Sequence, residues 1–261
     1  MTIDSWLWGD ETYVTREQKT RNYLKYRYND QDNSPIRNYR FFCLFLYGIH
    51  QFINLGEDWK IDWGELKWLT VWGWGLTGFY LALVCFEHIR HDILERPYQE
   101  DSSSPWLMWK IITGIFEINL TFHLLITVVF WLVLAPDYEP DEWGWKSYTR
   151  HGGGFLIMAG DFALNKILIE KRHWVFSEGL ILFYSVNLIA YRYIEDETLY
   201  SFASLDSLQS WLNTLALGVI FSFVHVFLAI ISGFVIDRDD LEVASMSKGI
   251  SLIIMPDDND Q

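Results

Sequence analysis

Long apolar runs alternate with short polar breaks along this chain. A helix needs roughly 17–25 mostly apolar residues to cross a bilayer. Six such windows can be drawn, at about 39–55, 67–86, 110–134, 152–170, 174–194 and 212–236. The fourth is the weakest, because Asp161, Asn165 and Lys166 interrupt it. Turn and charge signals break the pattern at "NLGED" (54–58), "DSSSP" (101–105) and "APDYEP" (135–140). Only Glu170 to His173 join the fourth and fifth windows, which predicts an antiparallel helical hairpin. There is no internal repeat, and no strand alternation long enough for a membrane barrel. The pattern predicts an all-α fold, a polytopic six-helix transmembrane bundle over 39–236. It lies between a polar N-terminal tail, 1–38, and an acidic C-terminal tail, 237–261.

Six passes put both tails on the side of the second and fourth connections. Fifteen of the 20 basic residues fall on that side, while Lys60, Lys67, Lys146, Arg150 and Arg192 fall on the other. The excess of Lys and Arg predicts that both termini face the cytosol or the matrix. The protein is then an integral one of the endomembrane or plasma membrane, or of the mitochondrial inner membrane. Residues 1–38 lack the apolar core of a secretory signal.

Composition agrees with a membrane setting. Of 261 residues 51% are hydrophobic and 18% aromatic, with 14 Trp, 14 Tyr and 18 Phe, a loading natural to rings at membrane interfaces. The formal charge of −14 excludes nucleic acid as an expected partner, since phosphate binding needs a basic face. Membrane lipids are the expected surroundings. Cys43 and Cys85 both fall in apolar runs and read as free buried thiols.

The topology brings two chemically useful groups to one depth. The second window enters from the outer side, with Thr70 about 5 Å below Lys67 at ~1.5 Å per residue. The fourth also enters from that side, with His151 at its mouth in "YTRHGGGFLIMAGD". A Thr hydroxyl becomes a nucleophile when a base takes its proton, and His is the usual base near neutral pH. The plainer reading is a helical Thr bonded to the carbonyl one turn back, beside a solvated interfacial His. Deeper polar groups are Glu117, Asn119, His123, Asp161, Asn165 and His225. A charge near mid-membrane faces a partner or a cavity. Glu117, Asp161 and Asn165 are therefore expected to line an internal polar site beside the Thr/His pair, or to hold helices together.

The order "LKWLTVWGWGLTGFY", "FEINLTFHLLITVVFW", "HGGGFLIMAGDFALNK" and "GLILFYSVNLIAYRYIEDETLYSF" resembles the androgen-induced membrane hydrolases and their rolling-stone relatives, over roughly residues 39–236. The resemblance implies six spans with cytosolic tails and hydrolysis of lipid esters, notably fatty acid esters of hydroxy fatty acids. It implies an intramembrane Thr nucleophile, matched by Thr70 in "KWLTV". It also implies a His ten residues before an acid, matched by His151 and Asp161. Three glycines follow His151 where the better-known hydrolases carry bulkier or hydroxylic residues, and the long polar head has no counterpart in the short enzymes. The rolling-stone branch is named for cell fusion rather than for a reaction.

Other leads are weaker. "HGGG" matches the oxyanion loop of soluble lipases, but no serine has glycine at both −2 and +2, so that fold is excluded. Its glycines either offer N–H groups to an oxyanion or permit close helix packing, and packing is the reading adopted. His50, His123, His151 and His225 sit singly on different helices without metal-ligand spacing, so no metal or cofactor is expected, a bis-His haem being the competing reading. The rival functional class is a non-catalytic accessory or scaffold subunit of a larger membrane assembly, a respiratory one for instance. Such a subunit would keep the hydrolase-like fold and bind neighbouring subunits through its tails.

Overall fold

Apolar runs in lipid leave their backbone groups no partner but one another, so they become helices. A computed structural model describes residues 32–54, 63–90, 103–137 and 145–253, and among these the chain is helical with no strand. Helix α1 is Ser34–Asn54 and α2 is Leu69–His88. Helix α3, Ser103–Val129, continues through a π-helical turn, Phe130–Leu134, and a 3-10 turn, Ala135–Asp137. Trp145–Tyr148, a π-helical turn Thr149–Gly153 and Gly154–Leu164 follow one another without a break and together make α4. A 3-10 turn, Lys171–His173, leads into α5, Trp174–Tyr193, and α6 is Leu208–Ile253. Leu69–His88, Lys110–Leu134, Lys171–Tyr193 and Leu208–Val235 are each long and apolar enough to cross a membrane.

Two boundaries differ from expectation at the tails. Helix α1 starts at Ser34 rather than 39, because the Asp32 carboxylate accepts the Ser34 N–H at 2.8 Å and Pro35 fits a first helical turn. Its first turn is polar, so a hydropathy window overlooks it. Helix α6 runs through Ile253, well into the stretch read as a tail. The rest of both tails (1–31 and 254–261) and most of the three breaks lie outside the described residues.

Contacts between helix ends fix their directions. Near the start of α1, Arg40 meets Asp161 and His88 at the ends of α4 and α2, while His50 near its end meets Thr149 at the start of α4. On α3, Glu117 meets His173 at the head of α5, and Phe130 stacks on His151. Helices α1, α3 and α5 thus run one way and α2, α4 and α6 the other. The faces are inverted relative to a water-soluble bundle. Phe45 is 64% exposed and Phe234 74%, while Arg40, Glu117 and Asp161 are 0% exposed.

The fourth window is where the sequence misleads most. Helix α4 lies about two turns earlier than expected, over Trp145–Leu164, and stops where Asn165 turns extended at φ −93° and ψ 172°. The following residues cross the bundle interior without helix, so the fourth and fifth windows do not form the expected hairpin. Helix α4 packs chiefly on α3, α1 and α2, and α5 on α6 and α3. Buried backbone without helix needs partners from elsewhere in the protein. Here the Ile167 N–H donates to Asn165 Oδ1 (2.8 Å), Ile169 N–H to Ser232 Oγ (3.0 Å) and Glu170 N–H to Glu117 Oε1 (3.2 Å). His225 Nε2 donates to the Glu170 carbonyl (3.1 Å), which leaves its Nδ1 to accept from Ser177 Oγ at 3.2 Å.

Candidate active site

Helix α2 begins abruptly. Trp68 is extended (φ −88°, ψ 130°) and offers no side-chain cap, so Thr70 sits in a first turn whose N–H groups need outside partners. The Leu69 N–H finds the Tyr200 hydroxyl at 3.2 Å. The preceding Lys67 carbonyl accepts from Tyr184 OH (2.7 Å) and Asn187 Nδ2 (3.2 Å). Thr70 is thereby held at the wall of the bundle with its hydroxyl facing α4.

His151 reaches it from a π-helical turn. The widened turn leaves the His151 carbonyl to accept from Thr127 Oγ1 at 2.6 Å, and the ring lies flat on Phe130, centroids 3.5 Å apart and planes 3° from parallel. Phe130 opens a second π-helical turn, so both faces of the contact are built from irregular helix, a common setting for functional residues. The result is Thr70 Oγ1 at 3.3 Å from His151 Nδ1. With the ring proton on Nε2, Nδ1 is free to accept the hydroxyl proton.

Both residues line a cavity of about 310 Å³, at the lower end of the range for small-ligand sites. Its walls are chiefly apolar, including Leu125, Ile126, Ile181 and Leu188, with the Tyr184 and Tyr200 hydroxyls toward the end at which α2 begins. Ion pairs ring that end. Arg150 pairs with Glu65 through two contacts at 2.9 and 3.3 Å, and Lys67 pairs with Glu197. A hydroxyl and a neutral imidazole at the wall of an apolar chamber can transfer an acyl group between an ester and water.

The expected supporting acids are elsewhere. Asp161 lies ten residues beyond His151, about 15 Å further along α4 at ~1.5 Å per residue. There it pairs with Arg40 at 2.8 and 3.2 Å and bonds the Tyr80 hydroxyl, while Arg40 also reaches His88 Nε2 at 3.0 Å. Asn165 Nδ2 joins the same cluster at 3.4 Å. Glu117 binds His173 Nδ1 at 2.6 Å and holds the crossing segment. None of the three lines the cavity. Asp161 and Glu117 hold helices together through Arg40 and His173, while Asn165 bonds within its own segment, to Asp161 and the Ile167 N–H.

Of the three glycines after His151, Gly154 accounts for the packing role. A Cβ built there would fall 2.1 Å from His123 Cε1, whereas Gly153 has neighbours no nearer than 3.8 Å and Gly152 faces open space. His50 bonds Thr149, His123 bonds Thr77, His151 bonds Thr70 and His225 bonds Ser177. Among the described residues no group of three or more His, Cys, Asp or Glu side chains converges as a metal site would require. Cys43 and Cys85 are buried free thiols. The sequence reading missed Thr127, Phe130, Tyr184 and Tyr200. Thr127 and Phe130 are one turn apart on α3, a spacing that marks a shared face, but only the partner helix gives that face a role.

No family model, curated protein or solved structure matches the chain.

Proposed function

We propose that the protein is an intramembrane hydrolase of lipid esters, of the fatty acid ester class. The observation that carries the reading is the 3.3 Å approach of Thr70 Oγ1 to His151 Nδ1 at the wall of an apolar cavity. The resemblance of the motif order to that of the androgen-induced hydrolases supports the same pairing. In the first half-reaction Thr70 Oγ attacks the ester carbonyl as His151 Nδ1 takes its proton. The acyl–alkoxy bond breaks, and that proton leaves with the alcohol. In the second, His151 draws a proton from water, the hydroxide attacks the acyl-threonine, and the carboxylic acid departs as Thr70 regains its hydrogen.

The bundle is read as six passes. Helices α1 and α4 fall short of a membrane span on hydropathy because they carry charged side chains, two of which, Arg40 and Asp161, are buried against each other. The outer surface of α1 is apolar at Phe42, Phe45, Phe52 and Ile53. The excess of basic residues on one side puts both termini in the cytosol or matrix. The alternative of assembly through the tails concerns mostly residues outside the described ones.

The test is covalent labelling of purified protein in lipid nanodiscs by an acyl- or phosphoryl-transfer probe, with hydrolysis of a fluorogenic fatty ester. Thr70→Ala and His151→Ala should each abolish both readings, and the double variant should lose no more than either alone, because the pair acts as one unit. Thr70→Ala should fold, at a cost of about 1 kcal/mol. Labelling that persists in Thr70→Ala, or that maps to another residue, refutes the proposal.

A further inference from the structure

The segment between α5 and α6 is built as a lid over the outer end of the cavity. Arg192 clasps its two feet, with Nη1 on Asp196 Oδ1 at 2.8 Å and Nε on Asp206 Oδ1 at 2.7 Å. Such closed, self-packed surface loops are frequently functional. Among the described residues, Asp196 (φ 54°) and Leu205 (φ 62°) are the non-glycine positions with left-handed backbone, and they bracket the segment. Left-handed backbone is strained in L residues and collects at clamps and switches. Leu199, Ala203 and Leu205 are buried beneath the lid, while Glu195 and Asp196 face outward. Phe202 and Tyr200 reach the cavity, and Glu197 latches onto Lys67.

One lid residue touches the helix that bears the nucleophile. The Tyr200 hydroxyl accepts the Leu69 N–H at 3.2 Å and lies 3.4 Å from the Tyr184 hydroxyl, which itself donates to the Lys67 carbonyl. Leu69 precedes Thr70 directly, and Trp68 supplies no cap of its own. The first turn of α2 is therefore capped from the lid, by a side chain distant in sequence.

Resting on the hydrolase reading, we infer that Tyr200 is a positioning residue for Thr70, and that the lid must be shut over the cavity for the threonine to be held in line with His151. Substrate binding is left to the apolar walls, and orientation of the nucleophile to the lid. Tyr200→Phe keeps the ring and removes the cap. Its kcat for the fluorogenic ester should fall roughly tenfold, the consequence of one lost hydrogen bond, with KM within twofold and Tm lower by no more than a few degrees, as for one lost helix cap. Hydrogen exchange at the Leu69 amide should quicken in parallel. Glu197→Gln, which unlatches the lid without touching the cavity, should move kcat and exchange in the same directions by a smaller factor. A variant with raised KM and unchanged kcat would overturn the inference, since Tyr200 would then serve binding alone. Unchanged exchange at Leu69 would overturn it too, even in an active enzyme. Faster exchange in a protein that neither hydrolyses ester nor labels at Thr70 would instead defeat the hydrolase reading on which the inference rests.

Discussion

Gly154→Ala is the sharpest test of how the bundle aligns its pair. The new methyl would lie 2.1, 2.4 and 2.7 Å from Cε1, Nδ1 and Nε2 of His123. That ring is not free to swing aside, since Nε2 is held by Thr77 Oγ1 at 2.7 Å and the Gly73 carbonyl at 3.1 Å. Restoring ordinary contact requires α4 to move away from α3 by roughly 1 Å, because a packed interior has no slack to absorb it. His151 sits one turn above Gly154 and moves with the helix, which takes Nδ1 beyond hydrogen-bond reach of Thr70. A displacement of that size can cost about 10²-fold in rate, and overpacking typically costs about 1–3 kcal/mol in stability. The assay is the rate constant for phosphoryl-probe labelling of Thr70 in nanodiscs, with thermal unfolding measured alongside. A fall of about a hundredfold in a protein that still folds is expected. Gly154→Ala combined with His123→Ala should recover most of the loss, because the obstructing ring is gone. Wild-type labelling in the single variant, or no recovery in the double, would refute this account of the helix contact.

Other outcomes follow from the fold and the proposed topology. Asp161→Ala strands Arg40 in a buried site and should cost about 3–5 kcal/mol in unfolding measurements, whereas Arg40→Met with Asp161→Leu should recover most of that stability. Protease added outside sealed vesicles should spare both termini, and cleavage of either without detergent would reverse the orientation. Cys43 and Cys85 should react with an alkylating reagent only after unfolding, and a non-reducing digest that contains the pair linked would contradict their assignment as free thiols.

How much could be read from the sequence depended on whether a residue's role was local. Apolar run length sufficed to place α2, α3, α5 and the span in α6, because a bilayer imposes the length directly. The Thr70–His151 pairing was legible for a similar reason: alternating passes set both residues at the outer end of parallel helices, so depth could be argued without knowing the packing. Helix α4 failed because its boundaries depend on partners. Asp161 looks like an interruption until Arg40 neutralises it, and Asn165 ends the helix by turning its side chain back onto the Ile167 N–H. The extended crossing had no signal at all in hydropathy, since its hydrogen bonds come from Glu117 and Ser232 on two other helices. Tyr200 was hidden likewise, because a cap supplied across 131 residues leaves no pattern near Leu69.

The Arg40–Asp161 pair also bears on biogenesis. The two residues are separated by 121 positions, so the arginine is synthesised long before its counter-ion exists. On the proposed six-pass topology, it waits near the start of its helix without that carboxylate, eased by Tyr80 and His88 once α2 arrives. When α4 follows on that topology, its aspartate meets a waiting cation, which would help a helix too polar to partition alone into the bundle. Reversing the two charges would keep the final pair but hand the early, unpartnered stage to a carboxylate. Chain order, and not only the finished contact, thus sets which of the two charges waits for the other.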